Sequence, residues 1–400
     1  MKPTDKKKTY GLKGLSSVVS SIEVSAIKRV QNLASSSKGV VSLAQGTPSF
    51  FTPDYVKNAI KDAMDKNLTD KYTIGFGIEP LRVAIVNKLK KDNGIVTEKE
   101  QIIVTHGGIE GLMAVFMTLL NPDDEMIVLT PDYASHITQV KIALGGKSPT
   151  FVPLQETTKG WILDPELLEK AVTKKTKAIL FCNPCNPTGK VFTKVELKEI
   201  VRIALKHNLY IISDEIYEYF LYDGREHFST ASFSEVADRT ISVFGVSKSY
   251  SMTGWRIGYL VANKTLASQI FKIHDSLVTC PTAASQYGAI AAINGPKNEI
   301  LRFKKEYEKR RQICMEELGK TDRLEFSAPE GAYYIFPKFK KPVDDFALAL
   351  EMVEKAGVAL VPGSAFGKGG ENHVRITYCY AQDILREGLQ RFVKYINKHL

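Results

Sequence analysis

Between about residue 53 and residue 290 the chain alternates short apolar runs with longer amphipathic stretches, and few folds satisfy that alternation. The runs are Ile102–Thr105, Met126–Thr130, Ala178–Cys182, Tyr210–Ser213, Thr240–Phe244 and Ile257–Val261. Each has four or five residues and is rich in Ile, Val or Leu, as strands covered on both faces require. Between two of them, Lys194 to His207 carries apolar residues at 197, 200, 201, 204 and 205 and charges elsewhere, the spacing of a helix with one buried face. Asp164-Pro165-Glu166 reads as a helix start, with an N-cap, a proline at the first helical position and an acid in the first turn. Strands alternating with helices predict an α/β fold, a mostly parallel sheet with helices on both faces. In such sheets ligands bind at the carboxyl ends of the strands.

The last hundred residues read differently. Asn298–Leu318 is a long charged helix, Gly331–Phe336 and His373–Tyr378 look like strands, and Ala381–Leu400 reads as a closing helix, which is α+β in character. Of the 400 residues, 44% are hydrophobic and 24% charged, which excludes a disordered or fibrous chain. The net charge of +10 is spread over pairs such as Lys90-Lys91, Lys174-Lys175 and Arg310-Arg311. These are solvated helix faces rather than a nucleic-acid footprint, although the sign suits small anionic ligands. The stretch Gly111–Leu120 is too short to span a bilayer, and the polar, basic tail Met1–Lys13 has no apolar core after it, so neither a membrane span nor a secretory signal is expected. Five scattered cysteines, an odd number, point to a reducing compartment, and a cytoplasmic location is expected. Cys182-Asn183-Pro184-Cys185 lacks the second half of a zinc site, and no metal is expected.

The residues just beyond each run carry the chemistry. After Ile102–Thr105 comes His106-Gly107-Gly108-Ile109, where glycines at a strand-to-helix turn let backbone N–H groups face an anion. After Met126–Thr130 comes Pro131-Asp132-Tyr133, an aromatic at the mouth of the sheet. Asn183-Pro184-Cys185-Asn186-Pro187-Thr188-Gly189 has two prolines three apart and can aim Asn186. Asp214-Glu215-Ile216-Tyr217 puts an acid directly beyond a buried strand, where it needs a cationic partner or serves as an N-cap. Lys248 follows another buried strand among small residues, where its pKa can fall and it can attack an aldehyde. Arg256, eight residues later, can fork onto a phosphate. A lysine, a buried acid, an amide, a tyrosine, an aromatic plate and an arginine at one sheet edge match the needs of pyridoxal phosphate.

With those residues the chain resembles a class I pyridoxal-phosphate aminotransferase, of the subgroup holding aspartate, aromatic and kynurenine aminotransferases. The resemblance rests on Asn186-Pro187-Thr188-Gly189, Ser213-Asp214-Glu215-Ile216-Tyr217 and Ser247–Tyr259, supported by Leu43–Pro48, Pro329–Tyr334, Pro362–Gly367 and Val374-Arg375-Ile376, from about Leu15 to the end. It implies fold type I: a large domain with a mostly parallel seven-stranded sheet, plus a smaller α+β domain. The expected boundaries are 1–52 for an N-terminal segment packing with the small domain, 53–295 for the large cofactor-binding domain and 296–400 for the small domain. It implies that Lys248 holds the cofactor covalently, Asp214 pairs with the ring nitrogen, Tyr217 and Asn186 bond the ring oxygen and Tyr133 stacks on the ring. Ser247, Arg256 and the backbone of Gly108 and Ile109 would hold the phosphate, joined by Tyr72 from a partner subunit of a homodimer with shared active sites. Arg375 would grip the substrate α-carboxylate, with Asn186, Tyr133 and the Gly46 backbone nearby. Lys248, Asp214 and Tyr217 would then be the catalytic set.

The expected activity is amino transfer from an L-amino acid, aspartate or aromatic, to a 2-oxo acid, with 2-oxoglutarate the expected acceptor. Two features depart from the family pattern. Relatives favouring acidic substrates often carry a basic residue beside the paired glycines, where this chain has Ile109, and no arginine for a distal carboxylate is evident. Gly245 stands three before the lysine, where some branches have serine, so Ser247 is the expected substitute. Glu23 reads as a surface helix position in preference to a residue at the expected entrance. The alternatives are a β-lyase acting on cysteine S-conjugates on the same fold, or a non-catalytic aminotransferase-like sensor.

Overall fold

A computed structural model describes residues 14–400. The reading of the tail Met1–Lys13 lies outside the described residues. A seven-stranded sheet organises the middle of the chain. Its strands are β1 (Ile102–Thr105), β2 (Glu125–Thr130), β3 (Thr150–Pro153), β4 (Thr176–Cys182), β5 (Tyr210–Asp214), β6 (Thr240–Gly245) and β7 (Gly258–Val261). The spatial order is β1-β7-β6-β5-β4-β2-β3. β7 runs antiparallel to both neighbours, and the β2–β3, β2–β4, β4–β5 and β5–β6 pairs are parallel. Six of these strands are the six apolar runs. The seventh, β3, escaped the sequence pattern because it is an edge strand, Thr-Phe-Val-Pro, with only Val152 fully buried. A proline is tolerated at such an edge.

The sheet is covered on both sides. One cluster joins Ile103, Val128, Leu180, Ile212, Val243 and Leu260 with Leu112, Val115 and Phe116 of the helix Gly108–Leu119. Alternate residues of the same strands, Ile127, Ile179 and Ile211 among them, pack on Leu197, Ile200 and Val201 of the helix Lys194–His207. Each fully buried side chain of this kind contributes about 1.5–3 kcal/mol relative to exposure. The helix Lys194–His207 keeps its expected bounds because Thr193 and Glu196 close a capping box at its start. Asp164 caps the next helix upstream, accepting from the backbone of Glu166 and Leu167.

The closing part of the chain contains the helices Asn298–Leu318 and Gln382–His399, which pack on each other, and a three-stranded sheet of Tyr334–Ile335, Val374–Thr377 and Val361–Pro362. The two strands anticipated there are shorter than the sequence suggested. Near the start of the described chain, a helix (Ala26–Ser36) leads to Val41–Ser42, which pairs in parallel with Val358–Ala359. No helix among the described residues is long and apolar enough to cross a membrane.

Candidate active site

Beyond the carboxyl ends of β1, β2, β4, β5 and β6 lies a cavity of about 280 Å³. Its lining includes Gly46, Gly108, Ile109, Tyr133, Asn186, Asp214, Tyr217, Ser247, Lys248, Arg256 and Arg375. Eleven of the twelve residues singled out in the sequence therefore meet in one place. The twelfth, Tyr72, does not line the cavity and is 87% exposed.

Lys248 sits on the loop after β6, and its Nζ donates to the Gly46 carbonyl at 2.9 Å. Burial lowers its pKa to about 8, with Arg375 and Arg256 pushing the same way against Cys379 and Asp214. The free amine, which attacks carbonyl carbon, is then accessible near neutral pH. Gly46 is fixed by its surroundings. A Cβ there would lie 2.1 Å from the Tyr334 hydroxyl, and Tyr333 also donates to its carbonyl at 3.0 Å.

Asp214 ends β5 and is 8% exposed. Its Oδ2 lies 3.0 Å from Nε2 of His136, whose Nδ1 lies 2.9 Å from Asp132. Burial disfavours a charged imidazole, yet Asp132 and Asp214 outweigh it and raise the His136 pKa to about 10. Asp132, wholly buried, is itself pushed up by desolvation. Asp214 thus presents a carboxylate to the cavity with an imidazolium behind it. Neither Asp132 nor His136 was assigned a role from the sequence, and the four-residue spacing across a strand-to-helix turn was the available signal.

The Asn186 loop is tied by Cys185 N to the Lys190 carbonyl and by Gly189, whose carbonyl accepts from Glu330 and Gly331. Asn186 Oδ1 accepts from Arg375 Nη1 at 3.0 Å, and Nη2 of the same guanidinium donates to the Ala44 carbonyl. Arg375 Nε is buried and has no hydrogen-bond partner among the described residues. Tyr217 donates to or accepts from Tyr334 at 2.7 Å, and burial holds its phenol well above the ordinary range. Tyr334 also lines the cavity without an assigned role in the sequence reading. Cys182 and Cys185 are both buried and free; their sulfurs face different carbonyls, those of Pro184 and Pro131.

Arg256 stands at a positive φ of 47°, two residues before β7, and lies against the helix start. A Cβ at Gly107 would come within 2.3 Å of its guanidinium, and one at Gly258 within 2.8 Å of the Gly108 N–H. Glycines thus keep open the space where Arg256, Ser247 and the first N–H groups of the helix Gly108–Leu119 converge, an anion cradle. A half-buried amine, an anion cradle, a carboxyl group and the polar side chains of Tyr217 and Asn186 in one cavity together fit a phosphorylated aromatic aldehyde with a protonated ring nitrogen. A second anion fits at Arg375.

Comparison with known proteins agrees with this chemistry. The family described as "Aminotransferase class I and II" matches residues 38–392. The chain is 38% identical to the aromatic-amino-acid aminotransferase 2 of Thermococcus litoralis, over 96% of this chain and 98% of that protein. It is 38% identical to the aspartate aminotransferase of Pyrococcus abyssi, over 94% and 97%. Among solved structures, the aspartate aminotransferase from Thermus thermophilus with maleate superposes with a TM-score of 0.87 at 34% identity, covering 96% of this chain and all of that one.

Proposed function

The chain belongs to the class I and II aminotransferases, enzymes that transfer an amino group between amino and oxo acids with pyridoxal phosphate, and from that premise we propose how its own residues divide the work. Lys248 holds the cofactor, Asp214 keeps its ring nitrogen protonated, Tyr217 and Asn186 bond the ring oxygen, and Tyr133 covers the ring face. Ser247, Arg256 and the N–H groups of Gly108 and Ile109 take the phosphate. When bound, the cofactor supplies an electron sink for the bond broken at the amino acid's Cα. Lys248 would also be the base, its Nζ taking the proton from the substrate Cα. His136, itself held by Asp132, holds Asp214 in place. Arg375 fixes the α-carboxylate, and its unpartnered Nε is the third donor available for it.

The donors favoured are aspartate and aromatic amino acids, since relatives carry both names, with 2-oxoglutarate as acceptor. The protein works as a cytoplasmic homodimer in which the exposed Tyr72 reaches the partner's phosphate. The division of the chain at 52 and 295 accompanies this reading. The observation carrying it is the half-buried amine of Lys248 and the carboxyl of Asp214 lining one cavity. Borohydride treatment followed by mass spectrometry should leave the cofactor mass on the peptide containing Lys248, and Lys248→Ala should abolish both that adduct and turnover. An adduct elsewhere, or activity retained by the variant, defeats the assignment. A β-lyase would release ammonia from S-conjugates without any oxo-acid acceptor, and a requirement for the acceptor excludes it.

A further inference from the structure

We propose that His274 is a positioning residue for the cofactor phosphate, acting through Glu110 on the turn that presents the Gly108 and Ile109 N–H groups; this rests on the phosphate assignment made above. His274 is wholly buried on the helix Lys264–Val278, which packs on the helix Gly108–Leu119. Its Nδ1 lies 3.0 Å from Glu110 Oε1 and its Nε2 lies 3.1 Å from the Gly75 carbonyl. Glu110 Oε2 accepts from the backbone N–H of His106 at 3.0 Å. One chain of contacts therefore runs from Gly75, through the imidazole and the carboxyl group, to the residue just before Gly107-Gly108. Neither His274 nor Glu110 lines the cavity, so the pair can reach a bound ligand only through that turn.

The composition of the turn makes such a brace matter. Gly107, at a φ of 77°, and Gly108 join β1 to the helix whose first N–H groups face the anion. Glycine backbones are the freest to move, and donors that must be ordered at the moment of binding bind less tightly. Thr105 holds one side of the turn: its Oγ1 donates to the Gly107 carbonyl at 3.1 Å. Glu110, third in the helix, reaches back to hold the other side, the geometry of a capping box displaced by one residue. His274 fixes Glu110 and is fixed in turn by a pinned segment. Gln286 grips the stretch Thr73–Ile78 at both ends, donating to Thr73 Oγ1 at 2.9 Å and accepting from the Ile78 N–H at 2.8 Å. Within that stretch Phe76 stacks on Phe271 of the histidine's own helix, with 3.8 Å between ring centres.

The test is calorimetric titration of the full chain with pyridoxal phosphate and with pyridoxal, which lacks the phosphate. Wild type should bind the phosphorylated form far more tightly. His274→Gln, whose amide takes the place of Nε2 and leaves Glu110 untied, should lower that preference roughly tenfold, the lower end of the scale for partners that orient ligand-holding groups. His274→Asn, whose amide takes the place of Nδ1, should stay within about twofold of wild type. Glu110→Ala should lose as much as His274→Gln, and the double variant no more than either, because the two residues act in series. Affinity for pyridoxal should not change in any of them. Equal losses for both ligands, or the same loss in His274→Gln and His274→Asn, overturn the proposal. Should His274→Gln fail to fold, Glu110→Ala decides, and an undiminished preference there overturns it too. If wild type binds the two ligands alike, the phosphate assignment itself falls and the brace with it. If wild type prefers the phosphate and every variant does so equally, only the brace falls.

Discussion

Asp214 and Glu215 are neighbours in sequence and face opposite environments. Each has a buried histidine beside it, and the two histidines behave oppositely. On the cavity side, His136 bridges Asp132 and Asp214 by aligned contacts of 2.9 and 3.0 Å, and its pKa rises to about 10. On the other side, Glu215 accepts from Ser213 at 2.6 Å and Ser229 at 2.8 Å. Its remaining oxygen lies 3.3 Å from His227 Nε2, unaligned, so both atoms lack a hydrogen bond. Burial pushes Glu215 up to about 8 and His227 down to about 4. Burial disfavours charge on both sides, and proximity to a carboxyl group does not decide the outcome. Two carboxylates around one imidazole sustain a cation, whereas one carboxyl satisfied by hydroxyls stays neutral and leaves its histidine neutral too. The imidazole on the catalytic side carries charge, and the Glu215–His227 pair does not.

The comparison breaks most sharply at the acids themselves. Asp214→Asn should lower kcat by roughly 10²–10³, the scale of losing a principal electrostatic stabiliser, while Glu215→Gln should stay within about threefold at pH 7. Comparable losses in steady-state rates would erase the distinction between the faces. The histidines come next. His136→Asn should cost about 10–100-fold in kcat, as a positioning partner does, and should shift the pH profile; His227→Asn should leave the profile in place. The smallest effect is on stability, followed by denaturant unfolding against pH. The raised His136 favours folding fully below 6.5, a contribution lost as pH climbs towards about 10. Glu215 binds its proton more tightly when folded, so it lowers stability as pH rises from 4.5 to about 8. His227 resists protonation when folded, so it lowers stability as pH falls from 6.5 to about 4. Nitrogen NMR of the two imidazoles should place their titrations on opposite sides of 6.5.

Much of the site was legible because each functional residue follows a run whose composition marks it as a buried strand. Lys248, Asp214 and Asn186 stand at ends of β6, β5 and β4, and the sheet places those ends together. Arg375 and Gly46 were legible only through resemblance to a family, since nothing local relates residues so distant to the sheet. Asp132 and His136 stayed hidden because their importance comes from Asp214, 78 residues beyond His136. β3 was missed because an edge strand need not be apolar throughout.

The hydrogen bonds at Gly46 and Arg375 span large separations: Gly46 to Lys248 over 202 residues, Gly46 to Tyr333 over 287, and Arg375 to Ala44 over 331. Contacts of such high order form late, after the chain entropy of closing long loops has been overcome. The cavity is therefore complete only once both ends of the chain have come in. Uptake of the cofactor is a natural chromogenic gauge of renaturation: fragments lacking either end should stay colourless, however much helix they contain.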